Sequence, residues 1–304
     1  MSALLQLLVN GLVFSCIIVL GGIGLSLVYS IADFANFAHG DLMTVGAFAA
    51  FVSAGALAGV LPDVTFFELP LALYVGLFVG MAAAALVAVG TEWLVYRPLK
   101  NAGSIELLIT SIGVALAYRA LIQMQFGSGQ RSYAIDRQGR VEWLFDAVGV
   151  ALTPRDFVVI GLTLALVVGL HALLQYTTLG RKMRATADNP NLARVSGIRT
   201  REVVLAMWII GGALAAAGGV FLGIDLLVRP RMGFDLLLVV FAAVILGGIG
   251  SVYGAMLGGL VIGMAHELTP AIPFVGVEYA SGVAFVLMVA ILLLRPHGIM
   301  GEPA

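Results

Sequence analysis

The first 32 residues, MSALLQLLVNGLVFSCIIVLGGIGLSLVYSIA (1–32), contain no Asp, Glu, Lys, Arg or His. A transmembrane helix needs about 20 predominantly apolar residues, and this stretch is long enough to supply one. A secretory signal has a basic start and a small-residue cleavage site. This stretch has no basic start, and its apolar run is too long for a signal. It therefore predicts a retained first membrane helix over about residues 7–30.

The composition of the whole chain extends this prediction. Of its 304 residues, 61% are apolar and 11% are charged, against about 45–50% and about 25% in soluble domains. Further charge-poor runs lie at 42–61, 69–91, 105–125, 157–175, 204–224, 236–250, 253–268 and 278–294. The runs at 236–250 and 253–268 are short for a span, so they are either two crossings or one broken or re-entrant element.

The fold class follows from these runs. The sequence predicts an all-α polytopic membrane protein, with one transmembrane domain over residues 1–304. We expect a bundle of eight or nine transmembrane helices, with short or broken helices near 33–41 and 236–268.

The distribution of Lys and Arg predicts the orientation. The segment 176–203 holds six Lys and Arg residues against two acidic residues, which places it in the cytoplasm. Arg97 and Lys100, two spans earlier, share that side. The N-terminus is then outside, the C-terminus is cytoplasmic, and the segment 127–156, with four Arg and four acidic residues, is extracytoplasmic.

Within the cytoplasmic segment, the polar stretch 181–198 has helix-boundary residues at both ends. Asn189 can cap a helix, and Pro190 suits the first helical position. Gly197 can end the helix in a left-handed conformation. The result is a helix of about two turns, too short to be stable alone in water.

Two apolar residues of this short helix, Leu192 and Val195, are expected on one face. A short helix with an apolar face, held by membrane helices at both ends, suits a groove on another protein. The alternative is an ordinary loop that packs on its own chain, and the residues alone leave both open.

A polar connection, Asn36-Phe37-Ala38-His39-Gly40-Asp41, joins the first two predicted spans, and Thr44 and Gly46 follow it. Irregular backbone here is a candidate to line a cavity, with a helix N-terminus pointing at an anionic group. The alternative is that Asp41 caps a helix that begins at the next residue. A lone histidine such as His39 is more often a structural donor than a ligand.

The glycine-rich stretch LGGIGSVYG (246–254) has the wrong spacing for a dinucleotide-binding fingerprint, and no strand precedes it. It predicts a tight turn between two short membrane elements, in which Gly248, Gly250 and Ser251 are candidates to line a pore.

No apparatus for catalysis is visible in the sequence. It contains no Walker P-loop, no H-E-x-x-H pair and no G-x-S-x-G elbow, so we predict neither catalytic nor metal-binding residues. The single cysteine, Cys16, excludes a disulfide framework, and a net charge of −1 argues against nucleic-acid binding.

Ionisable residues of the spans are expected at or near the span ends, where their charged groups stay hydrated. They are Glu92, Glu106, Arg119, His171, His266 and Glu267. A proton-coupled pump usually needs a carboxylate at mid-depth, so this pattern does not favour one.

Three stretches together resemble the membrane permeases of high-affinity branched-chain amino acid ABC importers. They are 36–41, Ala187-Asp188-Asn189-Pro190 with Ala193 and Gly197-Ile198, and the stretch 242–251. The resemblance covers about residues 7–297, and the Asn-x-x-His-Gly-Asp form is more similar to the first of the two paired permeases. Urea and short-amide importers share these motifs and are the alternative within the superfamily.

The resemblance implies a multi-pass protein of a prokaryotic cell (inner) membrane, in contact with membrane lipid. It implies a homologous second permease, two ATPase subunits and an extracytoplasmic solute-binding protein as partners. It implies no cofactor on this chain, because ATP and Mg are used by the partner ATPases. A stand-alone secondary transporter or channel is the rival from another class, and an intramembrane enzyme is a second rival.

The resemblance also implies roles for residues. The coupling residues that would rest in an ATPase groove are Asp188, Asn189, Pro190, Leu192, Ala193, Val195 and Gly197. The candidates for the transport pathway are Asn36, His39, Asp41, Thr44, Gly46, Gly248, Gly250 and Ser251.

Overall fold

The computed structural model describes residues 2–62, 64–135, 139–272 and 274–301, and it is almost entirely helical there. The helices are α1 (Ser2–Ala32), α2 (Ala38–Leu57), α3 (Leu71–Thr91), α4 (Ser104–Phe126), α5 (Glu142–Val148), α6 (Pro154–Tyr176), α7 (Thr178–Asp188), α8 (Pro190–Val195), α9 (Thr200–Asp225), α10 (Met232–Gly247), α11 (Val252–Leu268) and α12 (Ala280–Leu294). The shorter elements are a π-helical turn (Glu92–Tyr96) that extends α3, two 3₁₀ turns (Thr269–Ala271 and Val277–Tyr279), and an antiparallel pair of two-residue strands, β1 (Thr65–Phe66) and β2 (Leu69–Pro70).

Six of these helices are long and apolar enough to cross a membrane. They are Leu4–Ala32, Ala38–Leu57, Leu71–Tyr96, Ser104–Phe126, Pro154–Tyr176 and Thr200–Asp225. They coincide with the first six predicted spans, and α10, α11 and α12 occupy the other three positions. The predicted all-α polytopic membrane fold is confirmed.

The first helix lies at the centre of the bundle. It packs on α11, α9, α10 and α6, and its apolar stretch is almost entirely buried. A helix that is apolar on all sides has no polar face to turn towards solvent. The stretch that identifies the chain as a membrane protein is therefore also its structural core, while α4 and α6 are largely exposed at the periphery.

The predicted break near 236–268 is a helical hairpin. α10 and α11 pack on each other with glycine against backbone, since a Cβ added at Gly254 would overlap Gly247 and one at Gly258 would overlap Ala243. Close backbone approach through small residues is the usual way in which membrane helices associate.

The connections divide between two ends of the bundle. At one end, Gln6 at the start of α1 exchanges two hydrogen bonds, of 3.0 and 2.7 Å, with the backbone of Ala151. There Arg131 also forms a β-bridge with Val228 between α9 and α10. Residues 136–138, which belong to the predicted extracytoplasmic segment, lie outside the described residues.

The other end holds α7, α8 and the chain that follows α12. The backbone of Ile299 and Met300 donates hydrogen bonds to Leu246 and Gly247, at the end of α10. The start of α1 and the tail after α12 therefore lie at opposite ends. Which end faces the cytoplasm stays a prediction.

Candidate functional site

The short helix α8 begins as the sequence predicts. The Oδ1 atom of Asn189 accepts hydrogen bonds from the backbone N–H groups of Asn191 and Leu192, at 3.1 and 2.9 Å. Pro190 is the first helical residue, where no N–H is needed. Asp188 ends the preceding helix α7, so the two helices meet at one capping residue.

The end of α8 is also as predicted. Gly197 has a φ of +81°, in the left-handed region that favours glycine. The N–H of Ile198 donates to the carbonyl of Ala193 at 3.0 Å, and the N–H of Gly197 donates to that of Arg194 at 3.0 Å. These bonds use carbonyls that a helix C-terminus otherwise leaves unpaired.

The two faces of α8 differ in exposure. Ala193 is 3% exposed and seats the helix on its own chain, whereas Leu192 is 64% and Val195 87% exposed. The buried side agrees with packing of the segment on its own chain, while docking of the exposed side on another protein stays a prediction. The exposed face offers two branched apolar side chains that touch little of the described chain.

Five pathway candidates lie inside the bundle. Asn36, His39, Asp41 and Thr44 are at most 1% exposed, and Gly46 is also buried. None of the five borders the cavities described below. In this conformation they tie α2 to its neighbours.

Each tie is a specific contact. The Nε2 atom of His39 lies 2.9 Å from the carbonyl oxygen of Gly21 in α1. The hydroxyl of Thr44 accepts a hydrogen bond of 3.1 Å from the N–H of Gly233 in α10. A Cβ added at Gly46 would overlap Ala216 in α9.

Asn36 organises the turn between α1 and α2. Its Oδ1 atom accepts hydrogen bonds from the N–H of Ala38 at 3.1 Å and from the hydroxyl of Tyr96 at 3.2 Å. The turn is thus bonded both to the start of α2 and to the π-helical turn after α3.

The structure corrects the sequence-based interpretation of Asp41. α2 begins at Ala38, so Asp41 lies within its first turn and does not cap a later helix. Its carboxylate instead forms a two-pronged ion pair with Arg119 of α4. The Nε–Oδ1 distance is 3.1 Å and the Nη2–Oδ2 distance is 2.9 Å.

Arg119 was expected near a span end, and that expectation is wrong. It lies seven residues before the end of α4, its side chain is 13% exposed, and its guanidinium lies 4.3 Å from the ring centre of Phe234. Ionisable groups inside membrane proteins usually face the interior and pair with one another. Opposite lone charges within two apolar helices were a signal for this pair that sequence reasoning missed.

The three pathway candidates in the glycine-rich turn between α10 and α11 lie in two different environments. Gly248 (φ +108°) is covered by the chain after α12, because a Cβ there would overlap Gly301. Gly250 (φ +84°) and Ser251 instead border a cavity of about 290 Å³. Asp188, at the end of α7, borders the same cavity, so the structure joins a coupling candidate to two pathway candidates.

A second cavity, of about 400 Å³, lies at the opposite end, between the end of α2, the β1–β2 hairpin and residues 132–135. Tyr133 borders it, is 4% exposed, and donates a hydrogen bond of 3.0 Å to the carbonyl of Ala47. Burial raises the pKa of the Tyr133 hydroxyl above its usual range, which further disfavours the ionised form. This part of the segment 127–156 therefore forms a cap on α2, and sequence reasoning did not identify the cavity beneath it.

Comparison with known proteins agrees with the motifs. The family model "Branched-chain amino acid transport system / permease component" matches residues 7–292. The chain is 31% identical to the high-affinity branched-chain amino acid transport system permease protein LivH of Salmonella typhimurium over 303 residues, which cover 98% of this chain and 96% of the relative.

The corresponding LivH protein of Escherichia coli K12 is 32% identical over 303 residues, with the same coverage. The permease protein BraD of Pseudomonas aeruginosa is 31% identical over 301 residues, also 98% of this chain and 96% of the relative. No solved structure matched the chain with significance. The chain therefore belongs to the family of permease components of branched-chain amino acid transport systems.

Proposed function

We propose that this chain is the membrane permease subunit of an ATP-driven importer that carries branched-chain amino acids. The observation that supports this cargo is whole-length similarity to permeases whose names specify branched-chain amino acids. Its partners would be a homologous second permease, two ATPase subunits and an extracytoplasmic solute-binding protein. ATP and Mg would bind to the ATPases and not to this chain.

The exposed face of α8 supports the coupling role. Leu192 and Val195 would rest in a groove of an ATPase subunit, with Ala193 against the bundle. A short connection, residues 196–199, joins α8 to α9, which packs on α1, α2 and α3. A movement of the ATPase would thus reach the bundle core through α9.

For ATP to drive transport, its binding must stabilise one conformation of the bundle over another. The proposed bundle alternates between outward-open and inward-open conformations. The end that carries α8 would face the cytoplasm of a prokaryotic cell and the start of α1 would lie outside.

The pathway assignment stays a proposal. Gly250 and Ser251 border the cavity at the α8 end and are accessible in this conformation. The buried candidates on α2 would border the pathway only after α2 moves relative to α9 and α10. Selectivity would then rest mainly with the solute-binding protein, since small apolar walls suit a zwitterion that must enter and leave without tight binding.

The buried carboxylate of Asp41 does not favour a proton-coupled carrier. Arg119 donates a hydrogen bond to each of its oxygens, so the charge already has a fixed partner inside the bundle.

The experiment is co-purification of the tagged chain, co-expressed with its genomic neighbours, followed by an ATPase assay. We expect ATP hydrolysis to rise when leucine-loaded binding protein is added. Stimulation of ATP hydrolysis by urea or short amides alone would support an ATP-driven importer with a different cargo. A preparation that contains no ATPase would overturn the proposal and favour a secondary transporter.

A further inference from the structure

A third cavity, of about 490 Å³, lies beside α8 and is distinct from the cavity at the glycine turn. It is bordered by the end of α3, the connection after it, α8 and the start of α9. Four cations border it together with one carboxylate, and they are Arg97, Lys100, Arg194, Arg201 and Glu92. This excess of positive charge at one cavity indicates an anionic occupant.

Three of the four cations have no direct ion pair or hydrogen bond to occupy them in the described part of the chain, whereas Arg194 donates a hydrogen bond to Thr200. Within the residues that the structure describes, Arg97, Lys100 and Arg201 make no ion pair within 4.0 Å and no side-chain hydrogen bond. Other cations at this end are engaged, since Lys182 and Arg199 both pair with Glu202. Glu92 interacts electrostatically with Arg97 and offsets one of the four positive charges, so the described lining of the cavity keeps an excess of positive charge.

The remaining walls are apolar. Val89, Trp93, Val204 and Leu205 border the same cavity as the cations. Trp93 is 62% exposed and Leu205 44% exposed. A tryptophan at the end of a membrane helix is typical of the depth at which lipid headgroups lie.

The apolar wall continues away from the cations along two helices. Leu86 of α3 lies seven residues before Trp93, which is in the π-helical turn that extends α3, and Leu86 is 73% exposed. Ile209 lies one turn after Leu205 on α9 and is 43% exposed. Residues at these spacings share a helix face, so an exposed apolar strip runs from the cavity towards the interior of the bilayer.

We propose that this cavity binds the headgroup of an anionic phospholipid, with an acyl chain along the strip formed by Leu86, Trp93, Leu205 and Ile209. A phosphate between arginines and a lysine accounts for the charge, and an acyl chain accounts for the apolar wall. Basic pockets at the ends of membrane helices on the cytoplasmic side are suited to such headgroups. The proposal depends on neither the cargo nor the coupling mechanism.

The test uses the importer complex, delipidated and returned to phosphatidylcholine nanodiscs, with bound lipid counted by native mass spectrometry during titration with phosphatidylglycerol. The variant is Arg97→Gln/Lys100→Gln/Arg201→Gln. The matched control is Arg181→Gln/Arg199→Gln/Arg295→Gln, which removes three exposed cations that do not border the cavity. Arg194 is left unchanged because it lies in α8.

We expect the wild-type complex to bind phosphatidylglycerol at least about tenfold more tightly than phosphatidylcholine, because each surface cation adds to the attraction. The cavity variant should lose this preference, and the control should keep it within about twofold. If the triple variant does not assemble, Lys100→Gln alone should weaken phosphatidylglycerol binding by about fivefold.

Four outcomes would overturn the proposal. They are a wild-type complex without preference for the anionic lipid, an equal loss in variant and control, displacement of the lipid by millimolar inorganic phosphate, and loss of the ATPase from the cavity variant while lipid binding persists. The third would identify a soluble anion as the ligand, and the fourth would identify an acidic surface of the ATPase.

Discussion

At the residue scale, the Asp41–Arg119 pair is a buried ion pair that joins α2 to α4. Its two charges are 0% and 13% exposed and lie 78 residues apart in the chain. Removal of one partner from a buried ion pair leaves an unpaired charge and costs about 3–5 kcal/mol, whereas replacement of both by apolar residues is often nearly neutral.

We predict that Asp41→Asn and Arg119→Gln each lower the thermal stability of the purified complex strongly, and that Asp41→Leu/Arg119→Met restores most of the loss. The measurement is the midpoint of thermal unfolding by fluorescence-detected size exclusion. The control is Arg229→Gln, because Arg229 forms an exposed ion pair with Asp235 and such pairs contribute little. Single variants no less stable than this control would contradict the prediction.

Gly197 is a second residue whose conformation matters. Its φ of +81° is strained for a β-branched residue, by about 1–3 kcal/mol, but is tolerated by asparagine. We predict that Gly197→Val uncouples amino acid uptake from ATP hydrolysis in proteoliposomes, while Gly197→Asn retains most of the coupling. A wild-type ratio of uptake to hydrolysis in Gly197→Val, at normal expression, would count against the coupling role.

At the element scale, α8 is a helix of only six residues that is stabilised by its cap and by contact with the rest of the bundle. Asn189 caps its N-terminus, and Ala193 on its buried side packs against the bundle. Its other side exposes Leu192 and Val195, and burial of one such side chain contributes about 1.5–3 kcal/mol. The helix is therefore ordered by the bundle yet keeps an apolar surface for a partner.

We predict that Val195→Asp weakens ATPase co-purification by about tenfold or more, because a charge replaces a buried apolar contact. The fold should be unaffected, since the side chain is 87% exposed. The control is Leu226→Asp, at an exposed position (58%) after α9, at the opposite end of the bundle. Equal yields of co-purified ATPase with the two variants would show that α8 is not part of the ATPase interface.

At the scale of the whole molecule, the two ends of the bundle are chemically different. One carries the cap around Tyr133, and the other carries α7, α8 and the cavity bordered by Arg97, Lys100, Arg194 and Arg201. The excess of Lys and Arg predicts that the second end is cytoplasmic.

This predicted orientation can be tested in intact cells. The parent variant for the test is Cys16→Ser, because Cys16 is the only cysteine in the sequence. A membrane-impermeant thiol reagent should label Trp143→Cys, at a residue 69% exposed in α5, but should not label Arg181→Cys, at an exposed residue of α7. Permeabilised cells, in which both should react, are the control. The reverse labelling pattern would show that the bundle has the opposite orientation in the membrane.

Local features of this chain followed from sequence alone. The run of residues 1–32, the other apolar stretches and the boundaries of α8 are determined by residues a few positions apart, because hydrophobicity, capping and glycine conformation act over short distances. The positions of the helices and both ends of α8 were therefore predictable.

Only the tertiary structure decided which residues meet. Asp41 and Arg119 pair across 78 positions, Gly250 and Ser251 join Asp188 at one cavity, and the candidates on α2 are packed inside the bundle. These helices are apolar on most sides, so the spacing of their apolar residues does not indicate which face contacts which neighbouring helix. Contacts between helices depend on how small residues let backbones approach, and that is a property of the assembled bundle.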